Sequence, residues 1–414
     1  MPRPIIPLHV PGQADPGPLR FDSPPPLALY IHVPWCVRKC PYCDFNSHGL
    51  ERPAGGDARL GEVPEQAYVA ALMGDLERAL PQIWGRKISS IFIGGGTPSL
   101  LSGPALQALL DGVRLRLPLL PDAEITLEAN PGTAEAEKFQ AFREAGVNRL
   151  SLGIQSFNDA HLRALGRIHD REQALVAARL AARIFDNFNL DLMYGLPDQT
   201  LEEAQADLEQ ALDLGPTHLS CYQLTLEPNT AFAAAPPELP EADRCADMQD
   251  AIEARLAAAG FVHYETSAFA RPGRQCRHNL NYWTFGDYLG IGAGAHGKIT
   301  AFDPATGRHQ VERAMRWKHP REYLEKLPGG DPVQERHPVP PAELPFEFLM
   351  NALRLNQGFD PALFPARTGL PWLTVSRDME RAAADGLVTL APDRVAPTEQ
   401  GRHFLNALLE RFLP

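Results

Sequence analysis

Tyr30-Ile31-His32-Val33-Pro34-Trp35-Cys36-Val37-Arg38-Lys39-Cys40-Pro41-Tyr42-Cys43-Asp44-Phe45 is the stretch on which the reading of this chain turns. An apolar run, Ala28 to Val33, predicts a strand that leads directly into the cysteine loop. The spacing is Cys-x3-Cys-x2-Cys, while Cys221, Cys245 and Cys276 are scattered. Six cysteines in 414 residues do not make a disulfide scaffold, and in a reducing compartment so close a cluster reads as metal binding. Three thiolates can hold three corners of a cubane [4Fe-4S] cluster, leaving the fourth iron open to a small-molecule ligand. Structural zinc, with His32 or His48 as fourth ligand, is the alternative. Zinc usually joins two short knuckles across a longer loop, whereas this is a lone triad.

Downstream, short apolar runs alternate with amphipathic ones. A helix is predicted from about Pro64 to Leu80, then strands at Ser89–Ile93, Glu124–Glu128, Arg149–Gly153, Asn189–Leu192 and His218–Leu224. Between the second and third of these, Thr133 caps a helix carrying Phe139 and Phe142 on one face, and Gly146 stops it. Alternation of this kind demands a parallel sheet with helices outside it, and six units fit an α/β fold, a complete or partial (β/α) barrel. A doubly wound open sheet is the alternative, but it would gather polar signals at one crevice rather than after strand upon strand.

Those signals are specific. Gly94-Gly95-Gly96-Thr97-Pro98 ends the second strand, where glycines permit close backbone approach to a ligand. Glu128 closes the third strand, Gln155 follows the fourth with Arg167 twelve residues on, and Asp191 lies in the fifth. Each alone reads as a solvated residue or a salt-bridge partner. Together they are acidic and amide groups at successive strand ends, suited to ribose hydroxyls, an ammonium and a carboxylate.

The cysteine spacing after a first strand resembles the radical S-adenosylmethionine (SAM) superfamily. The surrounding Tyr30-Ile31-His32-Val33-Pro34-Trp35-Cys36 resembles its branch of oxygen-independent coproporphyrinogen III oxidases and HemW heme chaperones. The resemblance runs from about Leu27 to the C-terminus and implies a partial barrel in which SAM binds the open iron. It also implies SAM contacts from Tyr30, Gly95, Gly96, Thr97, Glu128, Gln155, Arg167 and Asp191. Tyr42, between two cysteines, could pack against the adenine.

A second constellation, Cys276-Arg277-His278-Asn279-Leu280-Asn281-Tyr282-Trp283, precedes the glycine-rich Gly290–Gly297. A His with Tyr and Trp close behind can supply an axial iron ligand and an aromatic wall for a flat macrocycle. The plainer reading is a hydrogen-bonded core histidine beside packed aromatics. The segment resembles the HNxxYW motif associated with heme binding in HemW proteins, which makes His278 the expected heme ligand, with Cys276 and His263 in reserve.

Two functions follow from the resemblance. One is a heme chaperone that binds heme and passes it to respiratory proteins; the other is a coproporphyrinogen oxidase. The oxidase pattern adds a fourth cysteine two residues after the third and a longer N-terminal segment. This chain has Phe45 at the first place and a Pro-rich stretch at the second. Both departures favour the chaperone and argue against an active oxidase. An electron donor for the cluster is implied without being named, and shared cluster cysteines could also build a homodimer.

Bulk properties bound the rest. The net charge of −12 leaves no excess of basic residues for a nucleic-acid footprint. No segment reaches the roughly 20 apolar residues of a membrane span, so the expected location is cytoplasmic, with peripheral membrane contact compatible. The expected organisation is a disordered tail (1–26), the barrel (27–300), an irregular linker (301–341) and a small winged-helix-like domain (342–414). Within the last, Phe346–Leu355 and Val375–Ala384 are predicted helices, and Leu387–Ala396 is a hairpin turning at Pro392-Asp393. Such domains often bind DNA, but this one lacks a basic recognition face, so a packing or partner role is expected.

Overall fold

The computed structural model describes residues 18–50, 61–133, 136–304 and 306–413. Its centre is the expected alternation. Strands β1 (Leu27–Val33), β2 (Ile88–Gly95), β3 (Leu119–Ala129), β4 (Arg149–Gln155), β5 (Phe188–Tyr194) and β6 (His218–Gln223) pair in parallel, each with the next. Crossover helices include Glu65–Ala79, Gly103–Arg116, Arg171–Ile184 and Leu201–Asp213. Their termini are chemically marked: Asp170 and Thr200 each form a capping box with the residue three positions on.

Within β5, Leu190 and Leu192 join the hydrophobic core, while Asn189 and Asp191 alternate with them and point to the other face. That period of two sorts apolar from polar side chains along the strand. It gathers the polar ones, at the C-terminal strand ends, in one place.

The sheet does not close. Beyond β6 it continues antiparallel through β8 (Ala268–Ala270) and β7 (Val262–Glu265). On the other side β9 (Asp287–Ile291) adds to β1 in parallel. It is followed by antiparallel β10 (His296–Asp303), β11 (Arg308–Arg316) and β12 (Val333–Pro338). The order is β12-β11-β10-β9-β1-β2-β3-β4-β5-β6-β8-β7. The architecture is therefore a partial barrel with two antiparallel extensions.

This corrects the linker expected over 301–341. Charge and Pro suggested irregular chain, yet most of that stretch is regular structure, in strands and a helix at Pro320–Lys326. Its hydrophobic signal is weak because β12 lies at the sheet edge with nearly every side chain exposed.

The N-terminal expectation also needs correction. Residues 1–17 lie outside the described residues, but 18–26 are ordered. Leu19 is only 6% exposed and bridges to His309, and Arg20 N–H donates to Gly369 O at 2.9 Å. This segment packs into a second core formed by the C-terminal helices.

That C-terminal part has helices at Leu344–Ala352, Leu363–Thr368 and Leu373–Ala384, then the hairpin β13 (Val388–Ala391) and β14 (Arg394–Pro397). Its core includes Phe285 from the turn before β9 and Val311 from β11, and Arg313 forms a two-pronged ion pair with Glu347 at 3.1 and 2.8 Å. The module is fastened to the barrel's antiparallel edge. No described helix is long and apolar enough to cross a membrane.

Candidate cluster and nucleoside site

The chain leaves β1 at Val33 and turns through the cysteine loop. That loop is pinned by a short parallel pairing of Trp35–Cys36 with His48–Gly49. Cys36, Cys40 and Cys43 are free, half-buried thiols, and all three line a cavity of about 350 Å³ at the C-terminal strand ends. The same cavity is lined by Tyr42, Gly95, Gly96, Thr97, Glu128, Gln155, Arg167 and Asp191. Eleven expected residues spread over more than 150 positions of chain thus converge on one space. Tyr30 does not; it lines a neighbouring cavity, with its hydroxyl 2.9 Å from His32 Nδ1.

The thiols have donors aimed at them. Thr97 Oγ1 donates to Cys36 Sγ at 3.5 Å, and Arg167 Nη1 to Cys40 Sγ at 3.7 Å. Arg167 also donates to Tyr42 Oη and Gly153 O, so one guanidinium ties the loop to β4. Burial pushes the Cys36 and Cys43 thiols up, against smaller opposing hydrogen bonds. Donors at sulfur favour the thiolate form that iron requires.

Among the described residues no three His, Cys, Asp or Glu side chains converge as a single metal ion would need. A cubane instead gives each thiolate its own iron. His32, considered as a zinc ligand, has both nitrogens engaged, by Tyr30 Oη and by Asn46 O at 2.8 Å. His48, the other zinc candidate, keeps an Nε2 without a hydrogen-bond partner among the described residues, so it is the three thiols lining one cavity that favour a [4Fe-4S] cluster.

The wall opposite the cysteines is acidic. Gly95 N–H donates to Glu128 Oε2 at 3.0 Å, and Asp191 accepts from Asn189 at 2.7 Å and from Ser151 at 3.3 Å. Register places Glu128 opposite Ser151 and Gly153 opposite Asp191, which brings the carboxylates to one level. Burial, reinforced by the charge of Asp191, pushes Glu128 up to about 8, and burial also raises Asp191. Two desolvated carboxylates suit an ammonium and a ribose diol.

Backbone geometry is equally particular. Gln155 is a non-glycine residue at φ 71° beside a register shift in β4, and its Oε1 accepts from Tyr222 Oη at 3.1 Å. A side chain at Gly96 would meet the Trp35 carbonyl oxygen at 2.5 Å, so only glycine lets this turn pass beneath the cysteine loop. Sequence reading missed Ser151, Met193, Tyr222 and Glu227 in this cavity. The position of Tyr222 near the end of β6 was the available signal.

His278 sits elsewhere than a heme ligand should. It is 1% exposed, with Nδ1 3.0 Å from Ser90 Oγ and Nε2 3.1 Å from Tyr282 Oη, and it lines neither cavity. Burial lowers it to about 3. The plainer reading, a satisfied core histidine, describes its geometry. Of the reserves, Cys276 is fully buried against Glu124, and His263 stacks on Phe269 at 4.1 Å beside Glu253.

The partial barrel and its cysteine cavity define a radical SAM protein. The model described as "Radical SAM superfamily" matches residues 30–211, and "HemN C-terminal domain" matches 339–404. The chain is 52% identical to the heme chaperone HemW of Escherichia coli, covering 94% of this chain and 98% of that protein. It is 38% identical to the Mycobacterium tuberculosis HemW, covering 98% of each. Among solved structures, coproporphyrinogen III oxidase (HemN) of Escherichia coli aligns with TM-score 0.75 at 24% identity, covering 94% of this chain and 90% of that one. This last likeness speaks to the fold alone. The chain belongs to the HemW family.

Glu128 offers a direct test of the site. Its unfolded pKa is about 4.3, below its folded value of about 8, so its contribution to stability is lost progressively as pH rises between the two. Glu128→Gln cannot ionise. In thermal melts of the apo protein its advantage over wild type should grow from pH 5 to pH 8, while SAM binding weakens at least about tenfold, one charge-assisted bond's worth. Equal melting at both pH values would contradict the assignment.

Proposed function

We propose that the chain is a cytoplasmic heme chaperone, which binds heme and transfers it to heme-dependent respiratory proteins while carrying a [4Fe-4S] cluster and SAM. The observation that carries this reading is 52% identity, over nearly the whole length of both chains, to a protein named for that role. In support, Phe45 stands where the oxidase pattern has its additional cysteine; it is 58% exposed between the two cavities and offers no ligand.

In this reading Cys36, Cys40 and Cys43 hold the cluster, which when bound supplies an open iron to chelate SAM and an electron at low potential. Glu128 and Asp191 receive the ammonium and ribose, Gly95, Gly96 and Thr97 line the methionine side, and Tyr42 with Gln155 and Arg167 bounds the nucleoside. Arg167 donates from its guanidinium to the Cys40 sulfur and so holds that ligand in place.

One anaerobically reconstituted preparation, assayed in parallel for hemin transfer to an apo-cytochrome and for coproporphyrinogen decarboxylation, tests the reading. Transfer without decarboxylation is expected. Efficient protoporphyrinogen formation would restore the oxidase.

A further inference from the structure

A second cavity, of about 410 Å³, adjoins the first across Gly95 and Glu128 and shares Phe45 with it. Its walls are aromatic: Tyr30, Tyr282 and Tyr288 line it, with the rings of Tyr282 and Tyr288 edge-on at 4.6 Å. At its mouth is His296, the first residue of β10, on an exposed position.

His296 differs from the histidines near it. The ring nitrogens of His32 and His278 are all hydrogen-bonded, whereas those of His296 have no such partner among the described residues. Partial burial of the ring, and then the positive charges of Lys318 and Arg313, lower its pKa. Neutral imidazole is the form that ligates iron. Lys318 is exposed, and its ammonium has no partner among the described residues; Arg313 is occupied by Glu347 and Tyr288.

Resting on the chaperone reading, we propose that this second cavity is the heme site, with His296 as the axial iron ligand, the three tyrosines against the macrocycle and Lys318 pairing a propionate. An aromatic slot and one open nitrogen ligand, with the charge of Lys318 close enough to act on that imidazole, match a flat dicarboxylate iron macrocycle. A single ligand at an exposed mouth leaves one edge of the macrocycle open, which suits a carrier that must release its cargo.

The geometry gives the HNxxYW segment a different part. Tyr282 lines the cavity, and His278 holds its hydroxyl from behind through Nε2. His278 is thus a positioning residue.

Hemin titration of the full-length wild type, His296→Ala and His278→Ala, followed by Soret absorbance and by the spin state in electron paramagnetic resonance, tests this. His296→Ala should bind at least about tenfold more weakly and lose the histidine-ligated spectrum, with added imidazole restoring it. His278→Ala should bind more weakly yet keep the wild-type ligation spectrum. A wild-type spectrum and affinity in His296→Ala overturn the assignment while leaving the chaperone reading intact. Failure of the wild type to bind hemin overturns both. Because His296 is exposed, melting temperature should be unchanged in its variant, and this separates lost ligation from misfolding.

Discussion

Replacing any one of Cys36, Cys40 and Cys43 with Ala should abolish iron incorporation, whereas Cys221→Ala, Cys245→Ala and Cys276→Ala should leave it intact. The three loop thiols line one cavity and stand free; the other three are buried in separate parts of the fold. A [4Fe-4S] cluster held by only three thiolates has no spare protein ligand. Losing one leaves two irons open, and the cluster falls from about four irons per chain toward none. Iron analysis and visible absorbance after anaerobic reconstitution read this out. Stoichiometric zinc in the wild type, without visible charge-transfer absorbance, would sink the cluster assignment. Thr97→Val, which removes only the donor to Cys36, should keep the iron and change the cluster's potential, because hydrogen bonds to sulfur tune it.

The second large effect lies beneath the site. Asp75→Ala should cost about 3–5 kcal/mol of stability, the usual penalty for orphaning one member of a buried ion pair. Asp75 is fully buried and accepts from Arg316 Nε at 3.2 Å and Nη2 at 3.1 Å, from Tyr323 Oη at 2.9 Å and from Gly292 N–H at 3.1 Å. Removing the carboxylate strands a guanidinium that is almost wholly inside. It also frees the Gly292 turn that leads to His296, so hemin binding should weaken with it. As a surface control, Asp111→Ala breaks only exposed contacts, the pair with Arg114 at 3.2 Å and the hydrogen bond from Gln107 Nε2 at 2.8 Å, and should change stability by less than about 1 kcal/mol. Chemical denaturation of the three proteins measures both. A double variant, Asp75→Leu with Arg316→Met, should recover much of the loss, since the cost comes from the unpaired charge. Equal midpoints for wild type and Asp75→Ala would show that the pair is not the tie it resembles.

The six central strands were legible in the residues because parallel strands buried on both faces read as short apolar runs. The helices between them were legible for a similar reason, through period and caps. The edges were not. β10 to β12 mix charge with β-branched residues and half-exposed faces, a composition that resembles a linker until a partner strand is known. Leu19 belongs to the same lesson. One leucine in a Pro-rich segment carries no periodic signal, and only the groove between His309 and Gly369 makes it core.

The candidate site divides in the same way. Cysteine spacing, Gly94 to Pro98 and the polar residues at strand ends are local patterns, and each is dictated by chemistry within a few residues of itself. The chain alone therefore specified three thiols at the mouth of a parallel α/β sheet, with an acidic and amide wall. It could not place Tyr30 or His278, because the facing of a side chain depends on what packs behind it. Tyr30 turns to the second cavity through His32, and His278 is claimed by Ser90 and Tyr282 from either side. His296 lay within a glycine-rich stretch that offered no reason to single it out. Its proposed role comes from β9 and β10 setting an imidazole with no hydrogen-bond partner among the described residues beside aromatic rings contributed by β1, β9 and the helix Arg277–Trp283. Ligand identity is written in residue type and spacing, whereas ligand availability depends on which hydrogen bonds the folded neighbours have already taken.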